Sequence, residues 1–321
     1  MIIITGGAGF IGSSLIHRLN CSGIDDIMIV DRLGTDTKWE NLVNIRFSDY
    51  VDCDDFISNL DKVRKPRLII HLGACSTTYE KDCGYLMKNN FEYSKILCQW
   101  AIRNKIRFVY ASSAATYGKG ENGFCDSIEI AEKLRPINPY GYSKQIFDLW
   151  LIRKGFIDKV LGLKFFNVFG PNEYHKGEMK SMVYKAYKQI RKNSKVRLFK
   201  SYDPKFKDGM QKRDFVYICD VVKVIENVME NESAVGFLNV GTGNPMTFID
   251  LSDAVFQFVR KVKILSFIDI PEGLRENYQY FTKADTKKMK QLYSEKLTSL
   301  NKAIKDYVEN YLEYNDKNFT M

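Results

Sequence analysis

Tyr140 and Lys144 stand four residues apart in Asn138-Pro139-Tyr140-Gly141-Tyr142-Ser143-Lys144. Asn138 reads as a helix cap and Pro139 as the first helical residue, so the two side chains share one helix face. An ammonium beside a phenol favours the phenolate. Such a pair can take a proton from a carbinol while a hydride leaves its carbon. Taken alone, the Y-x-x-x-K spacing describes an ordinary surface pair equally well. A third hydroxyl lies upstream in Ser112-Ser113-Ala114-Ala115-Thr116-Tyr117-Gly118, where Ser113 can donate to a substrate oxygen. A turn-forming serine run is the alternative there.

A departing hydride needs an acceptor, and the N-terminus carries the pattern that binds one. Ile2-Ile3-Ile4-Thr5 is an apolar strand, followed by glycines spaced three apart at Gly6, Gly9 and Gly12. A helical apolar pattern then runs through Leu15, Ile16 and Leu19. This strand–glycine–helix order suits a dinucleotide, whose diphosphate approaches backbone amides at a helix N-terminus. A second strand, Ile27-Met28-Ile29-Val30-Asp31, ends in an acid about twenty residues beyond the glycines, where a ribose diol is held. Asp31 favours the free ribose of NAD, whereas Arg32 and Lys38 suit a 2′-phosphate. NADP is the expected cofactor, with NAD the alternative.

The elements that must position these groups alternate along the chain. Apolar strands are expected at 2–5, 27–30, 45–47, 68–71, 108–112 and 160–166, with helices between most of them, notably at 85–104 and 140–155. That alternation predicts a doubly wound parallel α/β sheet, its strands apolar on both faces. After Gly170-Pro171 the pattern changes. A helix is expected over 181–192, a strand at 196–199, a polar basic loop at 201–212, a strand at 214–218 and a helix from Asp220. Phe237–Val240 then leads into a tight turn at Gly241-Thr242-Gly243, and 299–314 is helical. The division is a Rossmann-type NADP-binding domain over 1–168 and a smaller α/β substrate-binding lobe over 169–321, some of whose elements return to the first domain.

The composition excludes several other readings. Hydrophobic residues make up 45% of the 321 positions, ample for a core. There is no apolar run of bilayer length and the first residues form no basic leader, so a cytoplasmic protein without membrane association is expected. Seven scattered cysteines form no C-x-x-C pair, and the three histidines are far apart; neither a disulfide framework nor a metal site is expected. The net charge of +9 is concentrated between Lys176 and Arg213. With no nucleic-acid module in the sequence, it is read as solvated helix faces and attraction of an anionic nucleotide substrate.

Together, T-G-x-x-G-x-x-G, the serine after the fifth strand and Y-x-x-x-K resemble the extended short-chain dehydrogenase/reductase family over nearly the whole chain. Further stretches narrow the likeness: Gly73-Ala74-Cys75-Ser76-Thr77-Thr78, Asn167-Val168-Phe169-Gly170-Pro171 with His175-Lys176-Gly177, Lys212-Arg213-Asp214-Phe215-Val216-Tyr217, and Tyr278-Gln279-Tyr280-Phe281-Thr282. These resemble the ADP-L-glycero-D-manno-heptose 6-epimerase group. The resemblance implies oxidation of C6 of a nucleotide-linked heptose to a ketone and hydride return to the opposite face, supplying heptose for the lipopolysaccharide inner core. It implies two acid/base groups, Tyr140 and Lys176; attraction of the substrate diphosphate is the other role open to Lys176. Phe10, Ile11, Leu72, Gly73, Ala74, Cys75, Ser76, Asn89 and Val168 would line the cofactor, with Lys144 and Lys176. Asn167, Glu178, Lys185, Phe199, Lys200, Ser201, Tyr202, Arg213 and Tyr278 would meet the substrate beside Ser113. A homo-oligomer, a pentamer in known members, is also implied.

The chain departs from that pattern at Glu178, which follows Gly177 where serine is frequent, at Cys53 in place of a cofactor-side lysine, and at Lys185 in place of histidine. A carboxylate at 178 near a diphosphate is unfavourable unless Lys176 or Lys180 pairs with it. The loop 201–211 is longer than the family's shortest version. The nearest rival is a related epimerase, or a 4,6-dehydratase, acting on another nucleotide sugar; against the dehydratase, Ala114-Ala115-Thr116 stand where that enzyme places its acid pair. A non-catalytic NADP sensor would have no need of Tyr140, Lys144 and Ser113 together.

Overall fold

The computed structural model describes residues 1–320. Six strands arise in the first half: β1 (Ile2–Thr5), β2 (Ile27–Asp31), β3 (Asp49–Asp52), β4 (Leu68–His71), β5 (Arg107–Ser113) and β6 (Val160–Phe165). A seventh, Gly236–Val240, returns from the second half and pairs with β6. The spatial order is Gly236–Val240, β6, β5, β4, β1, β2, β3, and every pairing is parallel. Both faces are covered. Ile2 and Ile4 enter one core cluster and Ile3 the other, as a period of two requires. The expected doubly wound sheet is present, with the crevice of the order reversal between β1 and β4.

That crevice explains two of the glycines. Gly6 adopts φ +69°, and a Cβ there would lie 2.6 Å from the Gly73 amide nitrogen. The turn after β1 thus touches the turn after β4. A Cβ on Gly12 would lie 2.1 Å from the Gly6 carbonyl oxygen, so Gly12 lets the first helix, Phe10–Cys21, pack against its own entry turn. Below the turns, buried His71 joins Thr5 Oγ1 (2.6 Å) to Ser94 Oγ (2.8 Å). Burial holds the ring's pKa down, to about 3, so it is neutral.

The third strand differs from expectation. It lies at Asp49–Asp52, not 45–47. The Asn20 side chain takes both backbone groups of Arg46, accepting from its N–H (2.6 Å) and donating to its carbonyl (3.0 Å). Those groups are unavailable to a ladder, and the apolarity of Ile45 serves the core instead. The helix expected at 85–104 is a continuous run from Cys83 to Arg103, interrupted by a π turn over Met87–Glu92 that turns Asn90 into the interior.

The second half is built of short pairs. Asn167–Phe169 lies parallel to Phe215–Tyr217, Met246–Thr247 antiparallel to Lys212–Arg213, and Leu265–Ile268 parallel to Val196–Phe199. The expected glycine turn forms around buried Asp214, whose carboxylate accepts from Thr242 N (2.8 Å), Thr242 Oγ1 (2.6 Å), Gly243 N (2.8 Å) and Ala284 N (2.9 Å). The last helix spans Leu300–Asn310, and the chain then folds back so that Phe319 stacks on His17. No helix among the described residues is long and apolar enough to cross a membrane.

Gly12→Ala overpacks the first turn and is expected to cost about 1–3 kcal/mol of stability, read by thermal or urea denaturation.

Candidate active site

The first helix begins at the crevice without a side-chain cap and with no acid in its first turn. Its free amides and the close Gly6–Gly73 approach fit a dinucleotide diphosphate. At the end of β2, Asp31 is already engaged: Oδ2 accepts from Ala8 N (2.9 Å), and Oδ1 from Arg32 N (2.7 Å) and Lys38 Nζ (2.9 Å). The Arg32 guanidinium turns to Asp54 at 2.6 Å, beside Cys53. Across the crevice, Leu72 donates from its amide to Thr5 O (3.0 Å) and Gly73 to Thr5 Oγ1 (3.2 Å). Leu72, Gly73, Ala74 and Cys75 are half-buried and Ser76 exposed.

Asn90 organises this turn. Its carbonyl accepts from Cys75 N (2.8 Å), and its amide donates to Cys75 O and to Ser143 Oγ, each at 2.9 Å. Asn89, expected at the cofactor, is half-buried and donates to Tyr85 O at 2.8 Å.

The helix Pro139–Arg153 starts as expected, with Asn138 Oδ1 accepting from Gly141 N at 2.7 Å. It brings Tyr140 to Ser113, whose hydrogen bond favours the phenolate while burial, the larger effect, pushes the phenol pKa up. Ser113 Oγ also accepts from Ala115 N at 3.1 Å. Lys144 donates to Ala111 O at 2.9 Å. Burial pulls its pKa down to about 8, opposed by the Asp148 carboxylate one turn further on. Ser113, Tyr140 and Lys144 therefore converge on the C-terminal end of β5. Ser113 eases ionisation of Tyr140 through its hydrogen bond, and the ammonium of Lys144 is anchored to the strand carbonyl.

Lys176 approaches from the second half. Its ammonium lies 5.1 Å from the centre of the Phe10 ring, at the start of the dinucleotide helix. Burial lowers its pKa, Glu173 opposes that, and Lys185 adds to it. Glu173 is fully buried and accepts from Gly170 N (3.3 Å), Ser181 Oγ (2.7 Å) and Tyr307 OH (3.1 Å), so it fixes the loop that carries the lysine. His175 meets Asn41 Nδ2 at 3.2 Å and is held neutral by burial, its pKa down to about 4. Glu178 is exposed and its partner is Lys185, at 3.5 Å to the carboxylate and 2.5 Å to the carbonyl. Two of the three residues that depart from the family pattern thus pair with each other, and neither Lys176 nor Lys180 is needed to neutralise Glu178.

Asn167 is exposed and Val168 half-buried on their short strand. Arg213 is buried, with its guanidinium over Tyr278 (5.2 Å) and Phe248 (5.7 Å). Among the described residues no carboxylate lies within ion-pair distance of it; its recorded hydrogen bond goes to Lys212 O. Phe199 meets Tyr278 edge-on at 6.0 Å. Lys200 and Tyr202 share Asp269, at 3.3 and 2.5 Å, and Ser201 N donates to Asp208. The long loop is thus folded on itself. Gln279 Nε2 donates to Gly118 O at 2.7 Å, tying the Tyr278 segment to the turn after Ser113. Sequence reasoning missed Asn90, Asp148, Glu173 and Asp214. The signal for Asp148 was present: it continues the four-residue spacing of Tyr140 and Lys144.

Asn90→Ala leaves the Cys75 backbone groups without their partner and is expected to lower stability by about 1–3 kcal/mol. Equilibrium urea denaturation checks this, with dinucleotide affinity falling in parallel.

The NAD dependent epimerase/dehydratase family matches residues 2–241. An ADP-L-glycero-D-manno-heptose-6-epimerase of Nitratidesulfovibrio vulgaris is 46% identical over 97% of this chain and 98% of its own length. One of Fusobacterium nucleatum is 45% identical over 98% and 99%. The crystal structure of the Helicobacter pylori ADP-L-glycero-D-manno-heptose-6-epimerase superposes with a TM-score of 0.81 at 26% identity, covering 96% of this chain and 95% of that one. The chain belongs to the NAD dependent epimerase/dehydratase family, and its full-length likeness places it among the ADP-L-glycero-D-manno-heptose-6-epimerases.

Proposed function

We propose that this isomerase converts ADP-D-glycero-β-D-manno-heptose to ADP-L-glycero-β-D-manno-heptose by oxidising C6 to a ketone and reducing it from the opposite face. It would act in the cytoplasm, for lipopolysaccharide inner-core synthesis. The observation that carries this reading is a second buried-side amine, Lys176, beside the first turn of the dinucleotide helix, in addition to the Tyr140–Ser113 pair. Inversion at a carbinol needs a proton-handling group for each face of the ketone. A nicotinamide dinucleotide supplies the hydride acceptor and donor.

Tyr140, eased by Ser113, takes the C6 hydroxyl proton, and Lys144 provides positive charge behind it. Lys176, its pKa lowered by burial, handles the proton on the other face. Arg213, buried among aromatic rings without an acidic partner, grips the substrate diphosphate. Tyr278 and Phe199 wall the nucleotide side, and Gln279 joins that wall to the serine turn.

For the cofactor, the reading is NADP. Both oxygens of Asp31 are satisfied by the protein's own donors, and Arg32 and Lys38 lie beside them. Replacing both cations with alanine is expected to weaken NADP binding by about tenfold or more and to leave NAD nearly unchanged, as read by calorimetry. Equal affinity of the parent protein for the two cofactors would remove this assignment.

Incubation of cofactor-loaded protein with ADP-D-glycero-β-D-manno-heptose, followed by proton NMR, is expected to show the L-glycero epimer without net reduced cofactor. Tyr140→Phe and Lys176→Met are each expected to lower turnover by about a hundredfold or more. Full turnover in Lys176→Met would sink its acid/base role. Lys144 carries its charge below its pKa of about 8 and loses it above, so turnover falls as pH rises through that value. A rate flat to pH 10 would show that the charge is not used.

A further inference from the structure

Beneath the acid/base groups lies a second charged pair with no part in the proton steps above. Asp148 and Lys164 meet at 2.6 Å, and each is at most 1% exposed. Asp148 Oδ1 accepts from Tyr110 OH (2.7 Å), and Oδ2 from Ser112 Oγ (2.8 Å) as well as from the lysine. Lys164 stands opposite Ser112 in the β5–β6 register. Its ammonium also donates to Thr116 Oγ1 (3.0 Å), and Thr116 donates in turn to Ser113 O (2.8 Å). The lysine is otherwise walled by the rings of Phe237 and Tyr117, at 4.8 and 5.4 Å. Replacing such a buried pair with apolar groups is often neutral or stabilising, so stability alone gives no reason for it.

We propose that Asp148 and Lys164 are positioning residues for the epimerisation: their ion pair locks the helix bearing Tyr140 and Lys144, and the turn bearing Ser113, into one register on β5. The inference rests on the assignment of Tyr140, Lys144 and Ser113 as the acid/base set. Two paths, one along the helix backbone and one through hydrogen bonds, leave the pair and meet again at the Tyr140–Ser113 hydrogen bond. One runs up the helix through Lys144 to Tyr140. The other runs through Thr116 to Ser113. Asp148 is also the carboxylate that supports the charge of Lys144. The titratable and charged groups that act on Lys144 are Asp148 on its own helix, Cys75 on the turn after β4 and neutral His71 on β4, with Tyr140 one turn before it on the same helix face. Lys164 on β6 stands behind Asp148.

The test compares Asp148→Asn, the double variant Asp148→Asn/Lys164→Met, and Thr116→Val, all as cofactor-loaded protein with the ADP-heptose. Asp148→Asn is expected to lower kcat by about tenfold or more with little change in KM. It should also move the alkaline limb of the pH profile down by about one unit, because Lys144 loses its nearest negative charge. The double variant, with no unpaired charge left, recovers thermal stability but keeps both effects. In cofactor-free, ¹⁵N-lysine-labelled protein, the Lys144 amine should titrate correspondingly lower by NMR. Thr116→Val cuts only the link to Ser113; it lowers kcat severalfold without moving the limb. Wild-type kcat and pH profile in the folded double variant, or wild-type kcat in Thr116→Val, would overturn the proposal. Those results beside an inactive Tyr140→Phe would sink only this inference, whereas an active Tyr140→Phe would remove the assignment beneath it.

Discussion

The structure turns on a polar seam between one face of the helix Pro139–Arg153 and strand β5. Tyr140, Lys144 and Asp148 recur at every fourth residue. They meet Ser113, the Ala111 carbonyl, and the hydroxyls of Ser112 and Tyr110. Each polar group taken from water along this seam finds a partner, without which burial would cost several kcal/mol per charge. The seam is therefore a register device as well as a packing contact. A shift of the helix by one residue would break its hydrogen bonds together.

From that seam the rest of the site is reached in short steps. Ser143, on the same helix, accepts from Asn90, and Asn90 holds the Cys75 turn of the crevice. The turn after Ser113 is held by Gln279, which leads to Tyr278 and to the buried cation of Arg213. On the far side, Glu173 and Asp214 do for the second half what Asp148 does for the first. Each is a buried carboxylate with several donors that fixes a loop, although, unlike Asp148, neither is in a salt bridge among the described residues. The two buried amines, Lys144 and Lys176, each feel one of these carboxylates opposing the effect of burial. Lys144, its pKa at about 8, stays charged near neutral pH yet can exchange a proton.

Much of this was legible in the chain itself. The glycine run, the β-branched strands and the Asn-Pro helix start depend on local chemistry, and they stand where the residues predict. The third strand did not, because an edge strand such as Asp49–Asp52 carries little apolar signal, while Ile45 is apolar for the sake of the core. Hydrophobic periodicity also cannot tell a solvated acid from a buried one. Asp148, Glu173 and Asp214 look like surface residues until their donors, which come from distant segments, are assembled around them. The π turn at Met87–Glu92 is of the same kind: it buries Asn90, and only the tertiary contacts of Asn90 reveal it. The pairing of Glu178 with Lys185 was hidden because the two departures from pattern lie on different elements.

On the proposed reading one carbon is oxidised and reduced by the same hydride within one site. The most direct measurement uses ADP-D-glycero-β-D-manno-heptose carrying deuterium at C6, incubated in ordinary water with cofactor-loaded protein. Mass spectrometry and proton NMR of the product then locate the label. Hydride return gives the L-glycero epimer with its deuterium still on C6. Epimer formed with loss of deuterium to solvent would mean that inversion proceeds by proton removal from carbon, and would contradict it.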